Sequence, residues 1–395
     1  MNYEFVGIFY IIIYLNDFIF IILHQLPHIH TYDLIPKKMT LQQQITQDAI
    51  ILLKQLIAKQ SFSREENLTG DILEEFFRER NMPFRRKINN LWVRNKHFNP
   101  ELPTVLLNSH HDTVKPNSSW TLNPFEPLIK DGKLYGLGSN DAGGCLVSLL
   151  ATFCYFYYRS DLKFNVLFVA SAEEEISGVN GLELLIKEND LREISFAIVG
   201  EPTQMHLAIA EKGLMVVDCV AHGKAGHAAR EEGDNAIYKA IQDINWIQNY
   251  EFPKVSPVLG KMNMSVTIIN AGKQHNVVPD TCNFTIDCRV TEQYTLEETL
   301  EIIRQNIDSE ANARSIRLKP SAISESHPIV QAGLSMGRTT YGSPTTSDQA
   351  VLDCQSLKMG PGHSERSHTA DEFIYLSEIE EGIDLYIRML GKVII

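Results

Sequence analysis

Residues 104–113 read TVLLNSHHDT. The apolar, β-branched start of this run has the length of a strand buried on both faces, and the cluster His110-His111-Asp112 begins where that strand ends. Two further runs repeat the plan: NVLFVAS (165–171) leads into Ala172-Glu173-Glu174-Glu175, and FAIVG (196–200) leads into Glu201-Pro202-Thr203. Helical stretches fall between them, Ala142 to Tyr158 and Gly181 to Lys187. Strands alternating with helices predict an α/β fold, a mostly parallel sheet with helices on both faces. In such a sheet the loops at the carboxyl ends of the strands converge on one crevice. Three acidic or histidine-bearing strand ends therefore meet, and carboxylates gathered out of water need counter-charge. Metal ions supply it.

Two more clusters belong with these. GLGSNDAGG (136–144) puts Asp141 at the start of a helix, and GPGHSERSHT (360–369) carries His363 and His368. Alone, Asp141 reads as a helix cap and either histidine as loop surface. Five separate loops of matched nitrogen and oxygen ligands point instead to one metal site.

Outward from this core, Leu41, Ile45, Ala49, Ile50, Leu52, Leu53, Leu56 and Ile57 recur at helical spacing, and Ser63-Arg64-Glu65-Glu66 has the form of a capping box opening a second helix. Beyond Lys212 the pattern changes. A strand from Leu214 to Val220, a helix from Asn235 to Trp246, strands from Met264 to Ile269 and Phe284 to Val290, a helix capped at Thr295-Leu296-Glu297-Glu298, and a strand around Ile316 to Leu318 give the order β-α-β-β-α-β. That is the ferredoxin-like order of a second, inserted α+β domain. The expected divisions are 39–210 and 321–395 for the metal-binding domain and 211–320 for the insertion, with residues after Pro320 reading as loops and a last helix from Leu376 to Leu390.

Composition excludes several classes. The chain has 395 residues, 44% hydrophobic and 22% charged, as in ordinary folded proteins, and 36 basic against 49 acidic residues give a net charge of −13. That sign argues against nucleic acid as a partner. Six cysteines without C-x-x-C spacing argue against a disulfide framework and fit a reducing, cytoplasmic location. Residues 5–23 (FVGIFYIIIYLNDFIFIIL) approach the roughly 20 residues of a membrane span, but Asn16 and Asp17 interrupt the middle and no basic residue precedes the run. Residues 1–38, with His28 and His30, are expected to be a non-native leader, with a membrane anchor as the alternative.

The ordered motifs resemble those of the acetylornithine deacetylase and succinyl-diaminopimelate desuccinylase family of dinuclear metallohydrolases, over nearly everything from Met39 onward. His110-His111-Asp112 resembles the family's H-x-D, Ser139 to Gly144 its bridging-aspartate motif, Glu173-Glu174-Glu175 its acid-Glu-Glu, Gly200 to Thr203 its G-E-P-[ST] loop, and Gly360-Pro361-Gly362 with His368 its last ligand loop. The resemblance implies a zinc-aminopeptidase-like sheet with an inserted lid and dimerisation domain. It implies two divalent ions, zinc with cobalt or manganese as substitutes, one held by His110, Asp141 and Glu201 and the other by Asp141, Glu175 and His368. By the same resemblance Asp112 orients His110 and Glu174 is the general base; Glu173, where the family usually has Asp, reads as a solvated or supporting acid, and the motif register disfavours His111 and His363 as substitute ligands. Lys224 to Ala229 resembles the family's G-x-x-x-H element, making His227 an oxyanion donor; Asn276, in an N-x-x-P element, and Arg289 would grip the substrate carboxylate. The implied activity is removal of the acyl group from N-acetylornithine or N-succinylornithine to give ornithine for arginine biosynthesis. The alternative is succinyl-diaminopimelate or another N-acyl amino acid or dipeptide. The implied partners are that small substrate and a second copy of the chain.

Overall fold

Four short strands lie side by side in parallel at the centre of the main sheet: Gln355–Lys358, Phe196–Val199, Thr104–His110 and Asn165–Ser171. They form because their residues are buried on both faces. Val105 and Leu107 enter one apolar cluster and Leu106 the opposite one, the alternation a strand imposes on successive side chains. The helices Leu41–Ile57, Gly144–Phe156 and Leu376–Ile394 contribute to the first cluster, and the short helix Leu182–Lys187 to the second.

In this computed structural model, residues 10–15, 18–23, 39–188, 191, 193–230 and 232–395 are described. The chain divides into two compact units, Met1–Thr40 and Leu41–Ile395. Within the first, Tyr10–Leu15 pairs antiparallel with Phe18–Leu23, so these two parts of the apolar run are strands. The remainder of residues 1–38, including His28 and His30, lies outside the described residues. No helix among the described residues is long and apolar enough to cross a membrane.

The expected α/β sheet is present, with a parallel centre and antiparallel edges. Asn90–Arg94 and Phe84–Lys87 extend one side, Leu207–Glu211 and Ser321–Ala322 the other, and Thr340–Ser343 joins Leu207–Glu211 in parallel. Two expectations need correcting here. Residues after Pro320 are not only loops and a helix, since they supply the central strand Gln355–Lys358. That strand escapes the apolar pattern because Ser356 and Lys358 are polar yet buried. The box at Ser63 also does not form: the helix Asn67–Glu79 begins without a side-chain cap, because the Ser63 hydroxyl donates to Asp112 instead.

The inserted segment builds a four-stranded antiparallel sheet in the order Asn263–Ala271, Thr281–Val290, Gly213–His222, Glu310–Ala313. With the helices Ala236–Asn249 and Leu296–Asn306 this is the expected β-α-β-β-α-β order. Its last strand is Glu310–Ala313, not Ile316 to Leu318; the pairing of Val217 to Val220 with 310–313 decides this, and Leu318 makes only a bridge to Leu214. Met215, Val217, Cys219 and Ala221 alternate inward to a separate apolar core. All six cysteines are free.

Candidate metal centre

The carboxyl ends of the parallel strands carry the expected clusters to one place. His110 is the last residue of Thr104–His110 and 1% exposed. Its Nδ1 lies 2.9 Å from the Asp112 carbonyl oxygen and 3.4 Å from Asp112 Oδ1. Its Nε2 lies 3.4 Å from Asp141 Oδ1, 3.7 Å from Glu201 Oε1 and 3.9 Å from Glu174 Oε2. His368 also reaches this group, with Nε2 3.0 Å from Glu175 Oε2 and 3.7 Å from Asp141 Oδ2. The two oxygens of Asp141 thus face different histidines.

Strand geometry turns His111 away. Its ring bonds Thr69 Oγ1 and the Asn89 carbonyl, each at 2.8 Å, and burial lowers its pKa to about 4, so it is a neutral core group. His363 caps the turn Ser364–Arg366, accepting from the Glu365 amide. Glu173 points to Asn180 and Arg64.

Asp112 is fully buried and does more than touch His110. Its oxygens accept from the amides of Glu174 (3.1 Å) and Glu175 (3.2 Å) and from the Ser63 hydroxyl (2.7 Å). Burial opposes its charge, but the bonds from His110 and Ser63 prevail and hold its carboxyl below the usual range. Three supporting groups are not legible in the motifs. Glu372, 2% exposed, accepts from the amides of Gly138, Asn140 and Asp141 and so fixes the turn that presents Asp141. Asp348 accepts from Ser171 Oγ, and Ser63 holds Asp112. The one sequence signal for Glu372 is its place shortly after His368.

The electrostatics call for added positive charge. Burial pushes Glu174 well above its ordinary pKa, with the charges of Glu201, Asp348 and Glu175 acting the same way and that of His110 against. Burial also raises Glu201 to about 8, with Asp141 adding to the effect, and raises Glu175 despite its bond to His368. His110 Nε2, Glu175 Oε1 and Glu201 Oε1 are buried with no hydrogen-bond partner. Unpartnered polar atoms of this sort are costly, and they converge: ligand atoms of His110, Asp141 and Glu175 lie within 4.8 Å of one another, as do those of His110, Glu174 and Glu201. Imidazole nitrogen with carboxylate oxygen suits zinc, cobalt or manganese. The residues fit a metal site.

The expected substrate residues lie in the inserted segment. His227 and Asn276 are exposed neighbours, joined by the pairing of Gly226–His227 with Val277–Val278 and by a 3.0 Å bond from the Ala228 amide to the Asn276 carbonyl. His227 Nδ1 accepts from the Ala229 amide at 3.2 Å, which leaves Nε2 as the nitrogen that donates. Arg289 is held separately. It donates to both oxygens of Asp287, at 2.8 and 3.1 Å, and stands opposite Leu214 and Asn263 in the sheet. Its position near the Val290 end of Thr281–Val290 is about 25 Å from the Thr281 end, at a strand's rise per residue. Within one chain the structure gathers His110, Asp141, Glu174, Glu175, Glu201 and His368. Among the described residues, no hydrogen bond or ion pair joins Arg289 to Asn276 or His227.

A sequence profile described as Peptidase family M20/M25/M40 matches residues 106–392. A succinyl-diaminopimelate desuccinylase of Psychromonas ingrahamii is 26% identical over 377 residues, covering 87% of this chain and 98% of the relative. Among solved structures, the aminopeptidase PepT of Bacillus cereus superposes with a TM-score of 0.70 at 17% identity, covering 88% of this chain and 98% of that one. A dinuclear metal-binding peptidase of Bacillus subtilis from the M20 family gives 0.67 at 16% identity, covering 89% and 99%.

Proposed function

This chain belongs to peptidase family M20/M25/M40, a metal-dependent amide hydrolase by that membership, and from that premise we propose that it cleaves the amide of an N-acyl amino acid at a two-metal site. The observation that carries the reading is the split of the Asp141 carboxylate between His110 and His368, the arrangement of a group shared by two ions. His110, Asp141 and Glu201 would hold one ion, and Asp141, Glu175 and His368 the other, with zinc, cobalt or manganese all chemically suited. Such a pair, when bound, acidifies water and polarises an amide carbonyl.

The protein's own groups do the rest. Glu174 takes the proton of the attacking water at a carboxylate oxygen and passes it to the departing amine. Asp112 holds the Glu174 and Glu175 amides and the His110 ring in place for that transfer. His227 donates to the developing oxyanion, and the Arg289 fork and Asn276 bind the substrate carboxylate. Since Arg289 lies far along the sheet from His227 and Asn276, a homodimer supplies the full set, one copy giving Arg289 and the other His227 and Asn276. Six free cysteines suit a reducing compartment such as the cytoplasm.

The name carried by the Psychromonas ingrahamii relative favours N-succinyl-diaminopimelate over the N-acetylornithine expected from the motifs. A hydrolysis panel of N-succinyl-diaminopimelate, N-acetylornithine, N-succinylornithine and a dipeptide on zinc-loaded protein tests this, with the first compound turned over fastest. Glu174→Gln should lower kcat by about 10²–10⁴-fold at unchanged metal content. Full activity in that variant removes Glu174 as the base.

A further inference from the structure

The loop after Asn165–Ser171 must hold two carboxylates toward His110 against their mutual repulsion. On its entering side it hangs from Asp112, through the amides of Glu174 and Glu175. On its leaving side it closes on itself, the Ser177 amide donating to the Glu174 carbonyl and the Gly178 amide to the Glu173 carbonyl, each at 2.7 Å. Ser177 sits at φ 47°, a left-handed conformation that a serine keeps only when its surroundings hold it. The Ser177 carbonyl accepts a hydrogen bond from Arg317 Nη2, while Arg317 Nη1 donates to Glu183 Oε2 at 2.7 Å.

Arg317 does not belong to the catalytic sheet. It lies where the inserted segment returns, immediately before Leu318, whose carbonyl accepts from the Leu214 amide at 3.0 Å. The outgoing and returning chains are tight there: a Cβ on Gly213 would fall 2.6 Å from the Pro320 nitrogen. A planar fork with two fixed donors thus reaches from the crossing of the inserted segment to the turn that ends the Glu174 loop. Its side chain is 27% exposed and that of Glu183 is 7% exposed, so the pair is shielded from most of the solvent.

We propose that Arg317 is a positioning residue that clamps the Glu174 loop to the base of the inserted domain, so that movement of that domain is felt at the general base. The proposal rests on the reading of Glu174 as base. A merely structural role predicts lower global stability with kcat intact, whereas a clamp predicts a local effect.

The test compares zinc-loaded full-length protein with Arg317→Gln and Arg317→Lys. Arg317→Gln should speed amide hydrogen exchange in residues 173–178 by about fivefold or more, and lower kcat about tenfold, while KM and metal content stay within about twofold. Arg317→Lys, which keeps the charge but not the fork, should recover part of kcat. Unchanged exchange in 173–178, or a change confined to global stability, overturns the clamp. If Arg317→Gln does not fold, Glu183→Gln loosens the same fork from its other end and is read by the same criteria. If the unaltered protein hydrolyses none of the panel, the base reading fails, and the exchange comparison alone still decides whether Arg317 holds the loop.

Discussion

Glu201 shows what the site demands of single residues. Burial raises its pKa to about 8 even with His110 and Lys358 nearby. Burial likewise takes Glu372 to about 8 and Asp348 to about 6, and the bond to Glu175 takes His368 to about 9. Each of these groups binds its proton more tightly folded than unfolded. Without metal, the folded protein therefore holds extra protons between about pH 5 and 8, and its stability falls as the pH rises through that window. Asp112 and Asp141, held below the ordinary range, act in the opposite sense near and below about pH 4, and His111, lowered to about 4 by burial, opposes the trend up to about pH 6.5 but is outnumbered by the four raised groups. The urea midpoint of chelator-treated protein should accordingly drop from about pH 5 to 8, and added zinc should raise it again at pH 8. A midpoint that is flat with pH and indifferent to zinc would count against the site.

At the scale of elements, two similar sequence patterns meet different fates. Thr295 forms its capping box, its hydroxyl accepting from the Glu298 amide while the Glu298 carboxylate accepts from the Thr295 amide. Ser63 and Glu66 are drawn into the site instead, Ser63 to Asp112 and Glu66 to the Glu173 amide and Asn89. Thr295→Ala should cost about 1 kcal/mol in urea unfolding and leave kcat and metal content unchanged; a loss of turnover would mean that this helix matters to the site. The same contrast explains what is legible. Thr104–His110, Asn165–Ser171 and Phe196–Val199 announce themselves because apolar side chains fill them, and their carboxyl ends lead into the proposed ligand motifs. Gln355–Lys358 does not, because Lys358 is made tolerable inside by Glu211 at 2.9 Å and by the carbonyl and hydroxyl oxygens of Thr345, partners so distant in the chain that no local pattern reveals them. Glu372 and Asp348 escape notice for the same reason: their partners are backbone amides and a hydroxyl supplied by distant segments.

At the scale of the whole molecule, the inserted sheet ends in a strand that is unpaired on one side among the described residues. Asn263–Ala271 pairs with Thr281–Val290 and forms the edge, with Ile268 and Ile269 49% and 52% exposed, and Tyr238 and Ile241 are exposed on the helix Ala236–Asn249. An apolar, unprotected edge is a surface that pairs with another chain. On the proposed function, the separation of Arg289 from His227 and Asn276 would give such a pairing a role, since a second copy would complete the carboxylate grip and the oxyanion donor. The protein should therefore elute as a dimer in size-exclusion chromatography. Ile269→Lys places a charge on the edge and should shift it to monomer, with metal content retained and kcat/KM lowered at least about tenfold, because the two halves of the substrate site no longer meet. A monomeric native protein with full turnover, or a monomeric variant as active as the native enzyme, would show that one chain suffices and that the Arg289 and Asn276 roles must be reassigned.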